Sequence, residues 1–186
     1  MSLLAAVVAL GLGDASADRA LLDAFRAACE RVDTFDAMKA DAASSGWEEI
    51  ADDADPRVAR LLRTGRKAVG GGGTAQGANF RRSFAGRPVF LIQSRYEDRS
   101  GYWGNGCRLY HFEANARIDP ALLRQWMGRP PTGAQNFNGV GAKLLWEPGW
   151  RSGVSVEVNH VPGNSKVHTR YGLSGNILVA TAIGGF

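Results

Sequence analysis

The sequence has no apolar run long enough to cross a bilayer as a helix: the longest, residues 3–13, spans about 11 residues where roughly 20 are needed. It is also poor in metal-ligating side chains, with two cysteines, Cys29 and Cys107, and three histidines, His111, His160 and His168. Without a Cys-x-x-Cys or a closely spaced histidine pair, no dedicated zinc site can be read from the spacing. There is no Gly-Lys-Ser/Thr phosphate loop and no Gly-x-Ser-x-Gly elbow. Nor is there a helix-turn-helix, zinc-finger or paired-aromatic RNA-binding signature. The reading therefore expects no transmembrane helix, no metal or cofactor, and no specific nucleic-acid target. No repeat of domain-building length is present either.

What is present is 186 residues, 45% hydrophobic and 22% charged, with 24 glycines. That suffices for one domain with a substantial core and is too apolar for a disordered chain. Residues 3–13 have the length of a secretory h-region, and Ala15-Ser16-Ala17 is the small-x-small pattern that a signal peptidase cuts after. Residues 1–17 thus read as a signal peptide and residues 18–186 as a single α+β domain, periplasmic or secreted. Met1-Ser2 departs from the pattern by offering only the terminal amine as positive charge. Gly11 and Gly13 speak against the alternative, a core helix starting at Leu3. In an oxidising compartment the even cysteine count fits one Cys29–Cys107 bridge. Two buried, reduced thiols are the alternative if the leader is not real, and a nucleophilic cysteine ranks third.

Leu21, Leu22, Phe25, Ala28, Cys29 and Val32 recur at helical spacing, with charged residues between them. A second helix is expected from Asp33-Thr34 to Gly46, with Phe35, Met38 and Ala42 inward and Trp47 and Ile50 closing over its end. A third follows Asp55-Pro56, carries Val58, Leu61 and Leu62, and stops before Gly65. Residues 70–73, four glycines, read as a slack loop. Strands are expected over 89–96, 107–113, 140–146 and 177–183, with a short helix after Asp119-Pro120 and a loop over 128–139. A type II′ turn at Gly163-Asn164 is expected to pair residues 154–161 with 166–173, setting Val154 against Leu173 and Glu157 against Arg170. The whole reads as two to three N-terminal helices packed on an antiparallel sheet of about five strands with one inserted helix.

Charge is segregated along the chain. Residues 18–56 carry 4 basic and 11 acidic side chains, and residues 57–186 carry 18 basic and 6 acidic ones. Arg57, Arg60, Arg63, Arg66 and Lys67 follow helical spacing, and Arg81 and Arg82 lie beyond the glycine loop. Arg63, Arg66, Lys67, Arg81 and Arg82 are therefore candidates for binding an anionic envelope component or an acidic protein. The competing possibility is that the acidic N-terminal helices cover this basic half. Tyr102 and Trp103, in an Arg- and Gly-rich connection between strands, are candidate contact residues. On a hairpin strand His160 and His168 would face opposite ways, and Cys107 and His111, about 13 Å apart along a strand, cannot form a dyad.

The leader, Phe25-Arg26-Ala27-Ala28-Cys29, the Gly46-Trp47 pair and Gly106-Cys107-Arg108-Leu109 entering a strand together resemble small exported bacterial proteins of uncharacterised activity. The resemblance implies export and a Cys29–Cys107 bridge and carries no activity. Two functions are then weighed. The first is a non-enzymatic binding or envelope-associated protein that uses the arginines and aromatic loops. The other is a small hydrolase-like enzyme with Glu113 or Glu157 as acid or base, helped by His111 or His168.

Overall fold

The structure, a computed structural model, describes residues 12–69 and 72–185. Most of the expected leader and the first two glycines of the 70–73 loop lie outside these residues. The elements run in the order α1 (Leu12–Cys29), α2 (Phe35–Ser44), β1 (Glu48–Glu49), α3 (Pro56–Val69), β2 (Gly73–Phe84), β3 (Arg87–Asp98) and β4 (Trp103–His111). They continue with α4 (Pro120–Met127), β5 (Gly133–Phe137), β6 (Gly141–Trp146), β7 (Val154–Val161), α5 (Lys166–Tyr171) and β8 (Gly175–Gly184). No helix among the described residues is long and apolar enough to cross a membrane.

All strands join one antiparallel sheet of eight, ordered β1-β2-β3-β4-β8-β7-β6-β5, rather than the five or so expected. Two meanders, β1 to β4 and β5 to β7, are joined by β8, which pairs with β4 on one side and β7 on the other. Alternate residues along each strand face opposite sides of a sheet. One side carries Leu91, Cys107, Leu109, Val156, Leu178 and Ala180, covered by the buried stripes of α1, α2 and α4. The other carries Phe90, Ile92, Tyr110 and Ile177, covered by Val58, Leu61 and Leu62 of α3.

The apolar helix residues expected to point inward do so: Leu22, Phe25, Ala28, Cys29, Val32, Met38 and Ala42 are fully buried. Cys29, at the end of α1, is bonded to Cys107 in β4, with Cα atoms 5.7 Å apart, so the bridge staples the first helix to the sheet. Gly46 takes the left-handed conformation expected at the end of α2 (φ 83°), the region where a Cβ is costly. Asp119 caps α4 by accepting from the Ala121 N–H at 2.8 Å, with Pro120 at the first helical position.

Four expectations are corrected. First, α1 begins at Leu12 rather than at Asp18 and continues through Gly13, so that glycine does not interrupt the helix. Secondly, α3 runs on through Gly65, a cost of about 1 kcal/mol relative to alanine that one exposed position tolerates. Thirdly, β2 begins inside the expected glycine loop and β5 inside the expected loop 128–139; β5 is largely exposed, while β2 is exposed over its first half and buries Ala78 and Phe80.

Lastly, the hairpin about Gly163-Asn164 does not form. Residues 166–171 are α5, capped by Ser165, whose Oγ accepts from the His168 N–H at 3.1 Å, and closed by left-handed Gly172. Strand β7 pairs instead with β6 and β8, so Val154 lies opposite Ala182 rather than Leu173. Glu157 lies between Leu145 and Val179 and pairs with Lys143 rather than Arg170. An apolar strand such as β8 buries the inward face of β7 far better than the polar segment 166–171 could.

Candidate functional site

The acidic and basic blocks of the chain meet at several ion pairs: Arg57 with Asp55, Arg66 with Asp52, Arg81 with Glu48 and Arg151 with Asp33. Helices α1 and α2 pack on the side of the disulfide. The basic helix α3 packs on the other side. Helices α1 and α2 therefore do not lie over α3, but residues of the acidic block do pair with Arg66, Arg81 and Arg151, so the alternative left open by the charge count holds for those arginines.

Helix α3 contains no acidic residue, and Arg60, Arg63, Arg66 and Lys67 are exposed along it. Asp55 starts the helix by accepting from the Arg57 N–H at 2.8 Å and pairing with its guanidinium at 3.0 Å. Burial opposes ionisation of Asp55, but these hydrogen bonds outweigh it and hold the carboxyl below the usual range. Arg57 also lies 4.8 Å from the centre of the Phe112 ring, so its charge is spent on anchoring the helix. Arg66 is paired with Asp52. Arg63 and Lys67 have no hydrogen-bond or ion-pair partner among the described residues.

The same face is extended by α5, which sequence reasoning missed because it read the segment as a strand. Arg60 donates to the main-chain oxygen of Arg170 at 2.9 Å, locking the two helices side by side. Lys166 and Arg170 are exposed, and Arg170 lies 5.1 Å from the centre of the exposed Tyr171 ring. The signal that could have found this helix was Ser165 followed seven residues later by Gly172, an N-cap and a left-handed C-terminal stop.

The other candidate residues are tied up elsewhere. Arg81 pairs with Glu48 at 2.9 Å, and Arg82 donates to the Ser45 main-chain oxygen at 2.7 Å. Tyr102 and Trp103 sit at a tight hairpin end, both partly buried. Trp103 stacks close to Gly184, where a Cβ would lie 2.5 Å from the ring, and Arg95 lies 5.5 Å from its centre. Arg63, Arg66 and Lys67 are thus brought together, while Arg81, Arg82, Tyr102 and Trp103 are not added to them.

The carboxylates and histidines of the hydrolase-like alternative are also scattered. Glu157 pairs with Lys143 at 2.8 Å on the face opposite the disulfide, and Glu113 meets Arg57 at 3.5 Å in the turn after β4. The His111 ring nitrogens are buried without a protein partner, and His168 sits on α5. A cavity of about 220 Å³ lies between α4 and the β5–β8 half of the sheet, and none of its lining residues is Asp or Glu. A second hollow of about 320 Å³ is lined by Asp33, Asp36 and Arg95, but Asp33 is paired with Arg151 and Arg95 with Glu97. No group of three or more His, Cys, Asp or Glu suited to a metal ion occurs among the described residues.

No family model matches the chain, and neither the curated proteins nor the solved structures yield a match.

Proposed function

We propose that this chain is a non-enzymatic exported binding protein whose α3–α5 face engages an anionic phospholipid surface of the cell envelope. The observation that carries the reading is helix α3 itself: it holds no acidic residue, Arg60, Arg63, Arg66 and Lys67 are exposed along it, and Arg63 and Lys67 have no partner among the described residues. Clustered like charges with low-dielectric material behind them raise the local concentration of a polyanion and orient the molecule towards it. Tyr171 supplies an amphipathic ring of the kind that sits at a headgroup boundary. The disulfide supports an oxidising compartment. Scattered placement of Glu113, Glu157, His111 and His168, each engaged or isolated, counts against the hydrolase-like reading.

The test is cosedimentation with vesicles of neutral phosphatidylcholine, with and without phosphatidylglycerol. Binding is expected only to the anionic vesicles, weakening steeply as salt is raised above about 0.1 M. The double variant Arg63→Gln, Lys67→Gln should bind at least severalfold less while melting like the parent, since both side chains are exposed and unpaired. Binding that ignores salt, or a double variant that adsorbs as the parent does, would remove this face as the contact surface.

A further inference from the structure

We propose that the cavity under α4 is a binding site for a small monocarboxylate with an apolar tail, its head taken by Arg117 and His160 and its tail by Ile118, Leu144 and Val158. The site lies on the face of the sheet opposite α3, so it stands apart from the vesicle-binding surface.

The argument starts with Asn176. It sits in β8, otherwise apolar around it, and is only 2% exposed. A buried amide is costly unless both ends are bonded. Its Nδ2 donates to the main-chain oxygen of Ala116 at 3.0 Å, an atom that can only accept. Its Oδ1 must therefore face the other way, where it meets His160 Nδ1 at 3.0 Å. An amide oxygen can only accept as well, so Nδ1 carries the proton. The ring is left with Nε2 as the nitrogen without a protein partner.

Asn176 thus does two things at once. It fixes the tautomer and plane of His160, its cross-strand partner in the β7–β8 register. It also holds the main chain at Ala116, immediately before Arg117. One buried side chain thus orients the His160 ring and holds the main chain beside Arg117, which is how a binding site is preorganised.

The chemistry of the lining selects the ligand. Arg117 is exposed and has no ion-pair or hydrogen-bond partner among the described residues, and no carboxylate lines the cavity to neutralise it. A guanidinium in that setting favours a planar anion it can grip with two parallel hydrogen bonds. His160 Nε2, left without a protein partner, is the ring nitrogen available to the ligand head. Most of the remaining wall, Ile118, Leu123, Leu144 and Val158 among it, is apolar, with Gln135 and Asn136 at the exposed β5 edge. A volume of about 220 Å³ lies below the roughly 300 Å³ at which drug-sized pockets begin, so the tail is short.

The experiment is a titration of the ¹⁵N-labelled full chain with hexanoate, hexanamide, hexan-1-ol and acetate, read on the His160 imidazole and the Asn176 side-chain amide. Hexanoate should shift both signals saturably and bind about tenfold more tightly than hexanamide, the difference expected of a charge-assisted pair, while acetate, lacking the tail, should bind far more weakly. Arg117→Gln, at an exposed position, should erase the preference for hexanoate over hexanamide and leave hexan-1-ol unchanged. Leu144→Trp should fill the cavity and abolish the response of both signals. Equal affinity for hexanoate and hexanamide in the parent, or a hexanoate response that survives Leu144→Trp in a folded protein, overturns the assignment.

Discussion

The side-chain amide of Gln93 donates to the main-chain oxygen of Met38 at 3.0 Å, and it also reaches the main-chain oxygen of Ala28 at 3.2 Å. A single residue of β3, fully buried, thereby holds α1 and α2 to the sheet at the level of the disulfide. Gln93→Leu keeps the approximate volume but strips both bonds, and should cost about 1–3 kcal/mol of unfolding free energy by urea titration. Gln93→Glu, which tends to place a charge opposite two carbonyls, should cost more. A leucine variant as stable as the parent would show that the amide does not clamp the helices.

Cys29 and Cys107 close a loop with a sequence separation of 78. In the chain-entropy account a bridge of that span stabilises the fold by about 4 kcal/mol, so reductant should lower the melting temperature of the parent markedly. The double variant Cys29→Ser, Cys107→Ser should melt at the reduced parent's temperature and ignore reductant. If the parent melts identically with and without reductant, the bridge contributes nothing.

His111 gives the fold a calculable response to acid. Burial, then the positive charge of Arg87, push its pKa below the ordinary 6.5, with Glu113 opposing. The unfolded chain takes a proton at the ordinary value while the folded chain resists it, so protons favour unfolding. The stability His111 allows is complete above about pH 6.5, falls as pH drops from there towards the folded pKa, and levels off below it. His111→Gln should flatten that limb when melting temperatures are compared between about pH 7.5 and about pH 5. An unchanged slope would place the acid response elsewhere.

What could be read from the residues alone follows from which interactions are local. The stripe Leu22, Phe25, Cys29 and Val32 is a periodic signal, and its burial was legible because a helix has one face to hide. The strands β2 and β5 were not, because Thr74, Gln76, Gln135 and Asn136 show no alternation of apolar side chains; they are strands because of their neighbours. At residues 166–173 two local signals competed, a glycine-asparagine turn and a Ser165–Gly172 pair of caps, and the second won once β8 had taken the place beside β7. The charge imbalance was visible as a count, but the side of the sheet on which α3 docks depends on Val58 meeting Phe90 and Ile92, a tertiary fact. The cavity was invisible for a like reason: Arg117, His160 and Asn176 come from three separate segments that only the register of β7 with β8 unites.

The seating of β8 between β4 and β7 fixes when the fold can be completed. Without residues 175–184, β1–β4 and β5–β7 share no strand pairing, since β4 and β7 each pair only with β8 across the join. Only when residues 175–184 emerge can the halves zip together, a long-range closure that is slow by its topology.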